Sequence, residues 1–356
     1  MAFSDRIRIT AYGILRAIRG NIPAVVLWAI LFVLLVFLFR GAAAAERMYP
    51  DFSLRYSGEI SGERAKAARL YSINAAGQDG VFWPTFWRED ALKAESDTGA
   101  ASCTVVTFSG DGALAWDADF LRGSMPGAPD AAGCALSAEL ASSLFGSLDV
   151  VGMEVEIDGA KRVVRGVFEG SASLALVSAG EEATDISWHA AELGGDPENA
   201  NRSAAESYST ASGLGRPAAV FAGDSISLWA RLACFVPAAI LIVFCVVRLF
   251  GLIPRGVRGP AVFAVCLAVA LLLPAILRLL PGWAVPDMWS DFSYWASLAD
   301  RFEAALRELL GNAPYLRDVE GKLILLRQGA ICFAATLCAI GLCFAGFRSR
   351  HKGEKE

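Results

Sequence analysis

The chain has 356 residues, 55% of them hydrophobic, a mean hydropathy of +0.45 and a formal net charge of −5. A composition this apolar, gathered into blocks, excludes a chain of soluble domains alone and reads as a membrane protein. Between Glu46 and Asp224 acidic residues outnumber basic ones by about two to one, which argues against nucleic acid or anionic lipid as the partner of that region.

Residues 1–20 read as a cytosolic basic amphipathic helix. Ile7, Ala11, Ile14, Leu15 and Ile18 share one face, with Arg6, Arg8, Arg16 and Arg19 largely elsewhere. The same charges also serve a plainer role, as a basic flank that sets topology. Residues 21–42 hold the first membrane span, about 18 apolar residues from Ile22 to Phe39, longer than a signal-peptide core and therefore a retained anchor.

Residues 43–226 hold no run able to cross a bilayer and read as a mixed α/β domain. Glu59–Tyr71 is polar and helix-compatible. The aromatics Phe82, Trp83, Phe86 and Trp87 are assigned to the core, and Cys103–Phe108 is a β-branched strand ending at the Ser109–Gly112 turn. Asp119–Pro129 is turn-rich. Ser137 is an N-cap for a short helix, Ala138–Phe145, that buries Leu140, Leu144 and Phe145 and ends at Gly146. Val155 and Ile157 then alternate with acids, Asp158-Gly159 supplies a two-residue turn, and Val163, Val164 and Val167 return, making a hairpin with one packed face. Glu181–Gly215 is acidic and rich in Ala and Ser, so it reads as an exposed helix pair or a mobile loop, and the Asn201-Arg202-Ser203 sequon predicts only surface exposure.

Three more spans follow, at 227–250, 259–280 and 328–347. The 251–258 joint holds Arg255 and Arg258, and the 348–356 tail is basic. With the basic amino-terminal flank, the positive-inside rule puts both termini and this joint in the cytosol. The acidic domain and the 281–327 loop then lie outside the cell membrane. In that loop Trp283, Trp289, Phe292, Tyr294 and Trp295 suit the headgroup level. Leu298, Phe302, Leu306, Leu309 and Leu310 repeat at helical spacing, giving an amphipathic helix on the outer leaflet or against the domain. The expected fold is four transmembrane α-helices with a mixed α/β extracytoplasmic domain inserted between the first and second.

Chemical motifs are sparse. Six of the eight cysteines lie inside apolar blocks, and only Cys103 and Cys134 are placed where a disulfide is allowed, given Cα atoms within roughly 7 Å. The two histidines, His189 and His351, make no His-based metal site, and no CxxC pair replaces one. There is no GxxxxGK[ST] loop. His189, inside the acidic patch, is the one histidine a catalytic triad would have to use, and it is expected to be poorly held there. The reading is of a non-enzymatic chain with no cofactor.

The stretch from Cys134 to Gly170 carries a resemblance. Leu136-Ser137, Leu140-Ala141, Leu144-Phe145-Gly146, Asp149, Val151-Gly152, Val155, Ile157-Asp158-Gly159 and Val164-Arg165-Gly166-Val167-Phe168 together are similar to the periplasmic core domain of MacB/FtsX-like ABC transporter permeases. One span, a large outer domain, then three spans is also that family's order. The resemblance implies a permease subunit that works with a separate ABC ATPase and a second permease or a homodimer. Its core-domain motif would rest on Ser137, Leu144, Phe145, Gly146, Gly152, Asp158, Gly159 and Gly166, with Arg6, Arg8, Arg16, Arg255 and Arg258 facing the ATPase. The joint departs from the family pattern. Family members usually place a coupling helix between the second and third spans, whereas LFGLIPRGVR has no acidic residue and contains Pro254, which opposes a helix. The alternative expectation is therefore a non-transporting scaffold or regulator of a cell-envelope enzyme that retains the permease fold.

Overall fold

The computed structural model describes residues 22–48, 51–76, 81–181, 183–195, 201–252, 292–311 and 315–353. The expected helix at 1–20, the third span at 259–280 and nearly all of the 251–258 joint lie outside them. The chain divides into two compact units, one of Met1–Ala45, Ser227–Trp295 and Leu323–Glu356, the other of Glu46–Ile226 and Ala296–Lys322.

The first unit is helical. Helices α1 (Ile22–Met48), α6 (Gly223–Leu252) and α8 (Leu316–Gly353) each contain a stretch long and apolar enough to cross a membrane. α8 includes the expected 328–347 span and starts twelve residues before it. Gln328, 3% exposed, donates from Nε2 to the carbonyl oxygens of Leu38 on α1 (2.7 Å) and Ala230 on α6 (3.1 Å). Among apolar helices such a polar side chain acts as glue, since its amide finds no water. Gly41 is small for the same reason: a Cβ there would collide with Gln328 Oε1.

The second unit is a ten-stranded sheet. Its strands are β1 (Phe52–Ile60), β2 (Trp83–Glu95), β3 (Ala100–Ser109), β4 (Phe120–Gly123), β5 (Gly133–Ser137), β6 (Glu154–Ile157), β7 (Ala160–Phe168), β8 (Leu174–Ser178), β9 (Trp188–Gly194) and β10 (Ala219–Ala222). They run in the order β10-β1-β9-β2-β3-β8-β5-β7-β4, and β6 pairs with both β2 and β7. β2, β3, β8, β5, β7 and β6 therefore close on themselves. Inside this ring Cys103, Val105, Cys134, Leu136, Val155, Ile157, Val164, Ala175 and Val177 pack with Leu140, Ala141 and Leu144 of helix α4 (Ala138–Phe145). β8 is buried along its whole length, and its successive residues serve two cores: Ala175 and Val177 join α4, while Leu174 and Leu176 join Trp87, Phe108 and Phe168.

The expected helix and hairpin form as read. Ser137 Oγ caps α4 by accepting from Leu140 N (3.2 Å), and it also accepts from Leu174 N (3.1 Å), tying the helix to β8. Gly146 ends the helix in the left-handed conformation that glycine adopts without steric cost. β6 and β7 join through Asp158-Gly159 with both residues at positive φ, the turn that matches strand twist. The Gly152 amide donates to Val164 O (2.8 Å), and Gly166 pairs with Gly123 of β4. A strand thus occupies part of the stretch read only as turn-rich.

Helices α2 (Gly62–Asn74) and α5 (Arg202–Ala211) contribute Ala65, Ala68, Ala205 and Tyr208 to the core that holds Leu54, Phe82, Phe86, Trp188 and Val220, and the other described helices are α3 (Gly112–Ala115) and α7 (Phe292–Gly311). The aromatics read as core are core, except Trp83, which is 51% exposed. One expectation is corrected, and one open possibility closes. The 181–215 patch is not an exposed helix pair or loop: it contains β9, which pairs with β1 and β2, and the docked helix α5. The disulfide is not formed either. Cys103 and Cys134 are buried free thiols on β3 and β5, with β8 running between them. Two strand spacings of about 4.8 Å exceed the reach of roughly 7 Å for a bridge. Burial pushes the Cys134 thiol up to about 12 and raises that of Cys103, so both remain protonated core residues.

Candidate functional site

Alternation along β1 and β9 sends Leu54 and Leu193 into the core beneath α2 and α5, and turns Ser53, Arg55 and Glu192 to the other side of the sheet. Ser53 lies directly across from Glu192, and Arg55 across from Ala190. Onto these residues the unit brings Arg317 and Asp318 from the first turn of α8. Arg55, Glu192, Arg317 and Asp318 are each no more than 4% exposed.

The geometry is convergent. Glu192 Oε1 accepts from Ser53 Oγ (2.7 Å) and Trp87 Nε1 (2.8 Å), and it pairs with Arg55 Nη1 (3.2 Å) and Arg317 Nη1 (2.8 Å). Arg55 grips Asp318 with two parallel bonds, Nε to Oδ2 (3.1 Å) and Nη2 to Oδ1 (2.7 Å). Its guanidinium also lies 4.9 Å from the centre of the Trp87 ring and 5.2 Å from that of Phe221. Arg317 reaches two backbone carbonyls, Ala115 O (2.9 Å) and Met48 O (2.8 Å). Met48 is the last residue of α1, so Arg317 supplies a donor and a positive charge where a helix leaves carbonyls unpaired.

Beside the ion pairs lies a second clasp, of aromatic rings and a backbone amide. The Tyr315 ring meets Trp87 edge-on (5.3 Å, 82°) and stacks on His189 (5.0 Å, 22°). The Leu316 amide donates to Glu89 Oε2 (2.7 Å), a carboxylate at a helix start. Burial raises the Glu89 pKa, more than this hydrogen bond lowers it. His189 is firmly held, contrary to expectation: Nδ1 accepts from the Glu89 amide (3.2 Å) and Nε2 lies 3.7 Å from Glu59 Oε1. Its partners orient it as a neutral packing group next to Tyr315.

Burial first, then Arg88, holds His189 below its ordinary 6.5, against the pull of Asp90 and Glu59. Its folded value lies below its unfolded one, so its stabilisation is complete above pH 6.5 and declines as pH falls through the folded value. His189→Gln is expected to flatten the loss of melting temperature between about pH 7 and pH 5. An unchanged slope in a thermal-scanning series would show that the proton is taken up elsewhere.

The expected motif residues Ser137, Leu144, Phe145, Gly146, Gly152, Asp158, Gly159 and Gly166 build the α4–β6–β7 unit and do not converge on this cluster. Arg6, Arg8, Arg16, Arg255 and Arg258 lie outside the described residues. Among the described residues no group of three or more His, Cys, Asp and Glu is arranged to hold a metal ion. The cluster was missed because its members stand far apart in the chain, and each alone reads as a solvated charge. Arg55, placed between Leu54 and Tyr56 in a strand, was the available signal.

Fold and site together define a mixed α/β domain in a chain with apolar helices of membrane-spanning length, whose built feature is a buried ionic seam. No family model and no curated protein matches the chain. Solved structures similar to it include the extracellular domain of the noncanonic ABC-type transporter YknZ from Gram-positive bacteria, at 14% identity over 44% of this chain and 87% of that one, with a TM-score of 0.34. The periplasmic region of MacB from Actinobacillus actinomycetemcomitans is another, at 10% identity over 50% and 90%, with a TM-score of 0.39.

Proposed function

We propose that this chain is a permease-like membrane subunit of the MacB/FtsX type, passing motion from a separate ABC ATPase to an extracytoplasmic α/β domain. The observation that carries the reading is the α4–β6–β7 unit. The family-like residues form its capped helix and hairpin, inside an α/β domain encoded between the first apolar helix and those that follow. Four spans, cytosolic termini, a second permease or homodimer and the arginine-rich ATPase-facing side belong to the same proposal. The chain itself is assigned no catalysis and no cofactor.

Purification of the tagged full chain from its native membrane is expected to bring down an ABC ATPase, identifiable by mass spectrometry. The double substitution Arg255→Glu/Arg258→Glu is expected to reduce its recovery by about tenfold, as charge reversal in a docking surface does. A chain that reaches the membrane intact and carries no ATPase would overturn the transporter reading. The sequence of the 251–258 joint, with Pro254 and no acidic residue, favours the scaffold reading in that event.

A further inference from the structure

We infer that Tyr315–Lys322, the head of α8 with the residue before it, is a detachable strap on the α/β unit: it is seated by a charge-built dock that opens while the sheet beneath it stays folded. The chemistry of the dock carries the inference. What anchors the strap is mainly ionic and polar: Arg317 and Asp318 with Glu192 and Arg55, and the Leu316 amide with Glu89. Its apolar part is Tyr315 and Leu316, both only half-buried, and Val319 is 40% exposed.

An apolar dock loses its whole driving force on opening, because the surface it exposes is poorly hydrated. A dock of buried ion pairs behaves differently. The desolvation of its charges is recovered when water returns, so the attraction lost and the hydration regained nearly cancel. Arg55 and Glu192 sit on two strands bonded to each other, with β9 also paired to β2, and the ladder does not depend on the strap. The two parts of the unit therefore have separate reasons to stay in place. The strap is the part that parts most readily, and the sheet is held by the Leu54, Phe86 and Trp188 core on its other side.

Opening would also release Met48 O from Arg317, so the seat that holds the head of α8 holds the end of α1 as well. That a drive exists for this opening rests on the permease reading; the opening itself does not.

Hydrogen exchange followed by mass spectrometry on the full chain in detergent micelles tests it. Amides of 316–322 are expected to exchange at least about tenfold faster than those of 190–193 in β9 under native conditions, by sub-global opening. In Arg55→Met/Asp318→Met, which replaces the bidentate pair with apolar side chains, the 316–322 amides are expected to slow toward the β9 rate. If strap and β9 exchange together in the unaltered chain, the strap opens only when the domain unfolds and the inference fails. If the strap is fast but the paired substitution leaves its rate unchanged, the exchange is fraying of a helix end and the inference also fails. The ATPase purification separates this from the functional reading, because either result can fail without the other.

Discussion

Glu192→Leu is expected to destabilise the α/β unit by about 3–5 kcal/mol, the cost of removing one partner from a buried ionic group. Its Oε1 is the point where four donors meet: Ser53, Trp87, Arg55 and Arg317. Leucine fills much of the volume and offers none of them an acceptor. The Trp87 indole N–H loses its 2.8 Å bond in a residue with no exposed surface, and an orphaned donor there costs about 1–3 kcal/mol. The guanidinium groups keep other partners, Arg55 on Asp318 and Arg317 on two carbonyls, which holds the loss within that range. Denaturant unfolding of the full chain, followed by tryptophan fluorescence, reads the effect. A midpoint unchanged from the parent would show that the carboxylate contributes little to the folded state.

Leu144→Ala should cost a similar amount, about 2–5 kcal/mol, by a different route. Leu144 is 1% exposed and is the last inward residue of α4 within the ring formed by β2, β3, β8, β5, β7 and β6. A ring of paired strands resists collapse onto a vacated volume, so the cavity term persists. The carbonyl of Leu144 also accepts from Ser96 Oγ (2.7 Å) and Thr98 Oγ1 (2.6 Å), which pins the helix end to the β2–β3 turn. Alanine leaves those bonds in place. The loss should therefore appear in the unfolding midpoint with little change in the cooperativity of the transition. A cost below about 1 kcal/mol would show that the ring relaxes around the deletion.

How much of this was legible in the chain depended on how local the cause was. Ser137, Gly146 and Asp158-Gly159 act through their own backbone within a few residues, and the capped helix and hairpin follow from them directly. The aromatics of 82–87 were legible because large apolar side chains have few places to go. β9 was not: Trp188–Gly194 reads WHAAELG, in which two alanines and a buried glutamate give no apolar alternation. Its strand conformation comes from β1 and β2 on either side. The ionic seam failed for a related reason. Arg55 and Asp318 are 263 positions apart, and a charge becomes structural only when the fold removes water from it. Cys103 and Cys134 show the converse. Two cysteines in one domain allow a bridge, and the strand that separates them, Leu174–Ser178, carries no local mark of lying between β3 and β5.

The order of the strands has a bearing on how the protein behaves in a crowded setting. Among the described strands the two ends of the sheet, β10 and β4, are only four residues long, and the strand that closes the ring, β6, is used on both sides. Long unpaired edges are the templates on which neighbouring copies add strand to strand and aggregate. A sheet this wide would ordinarily present two of them. Here the 13-residue β2 lies inside the strand order, paired with β3 over Phe86–Glu95 and on its other edge with β9 at Trp83–Trp87 and β6 at Ala94–Glu95, and one terminal strand carries the charge of Arg122. The two terminal strands therefore offer a neighbouring copy only short edges on which to add a strand.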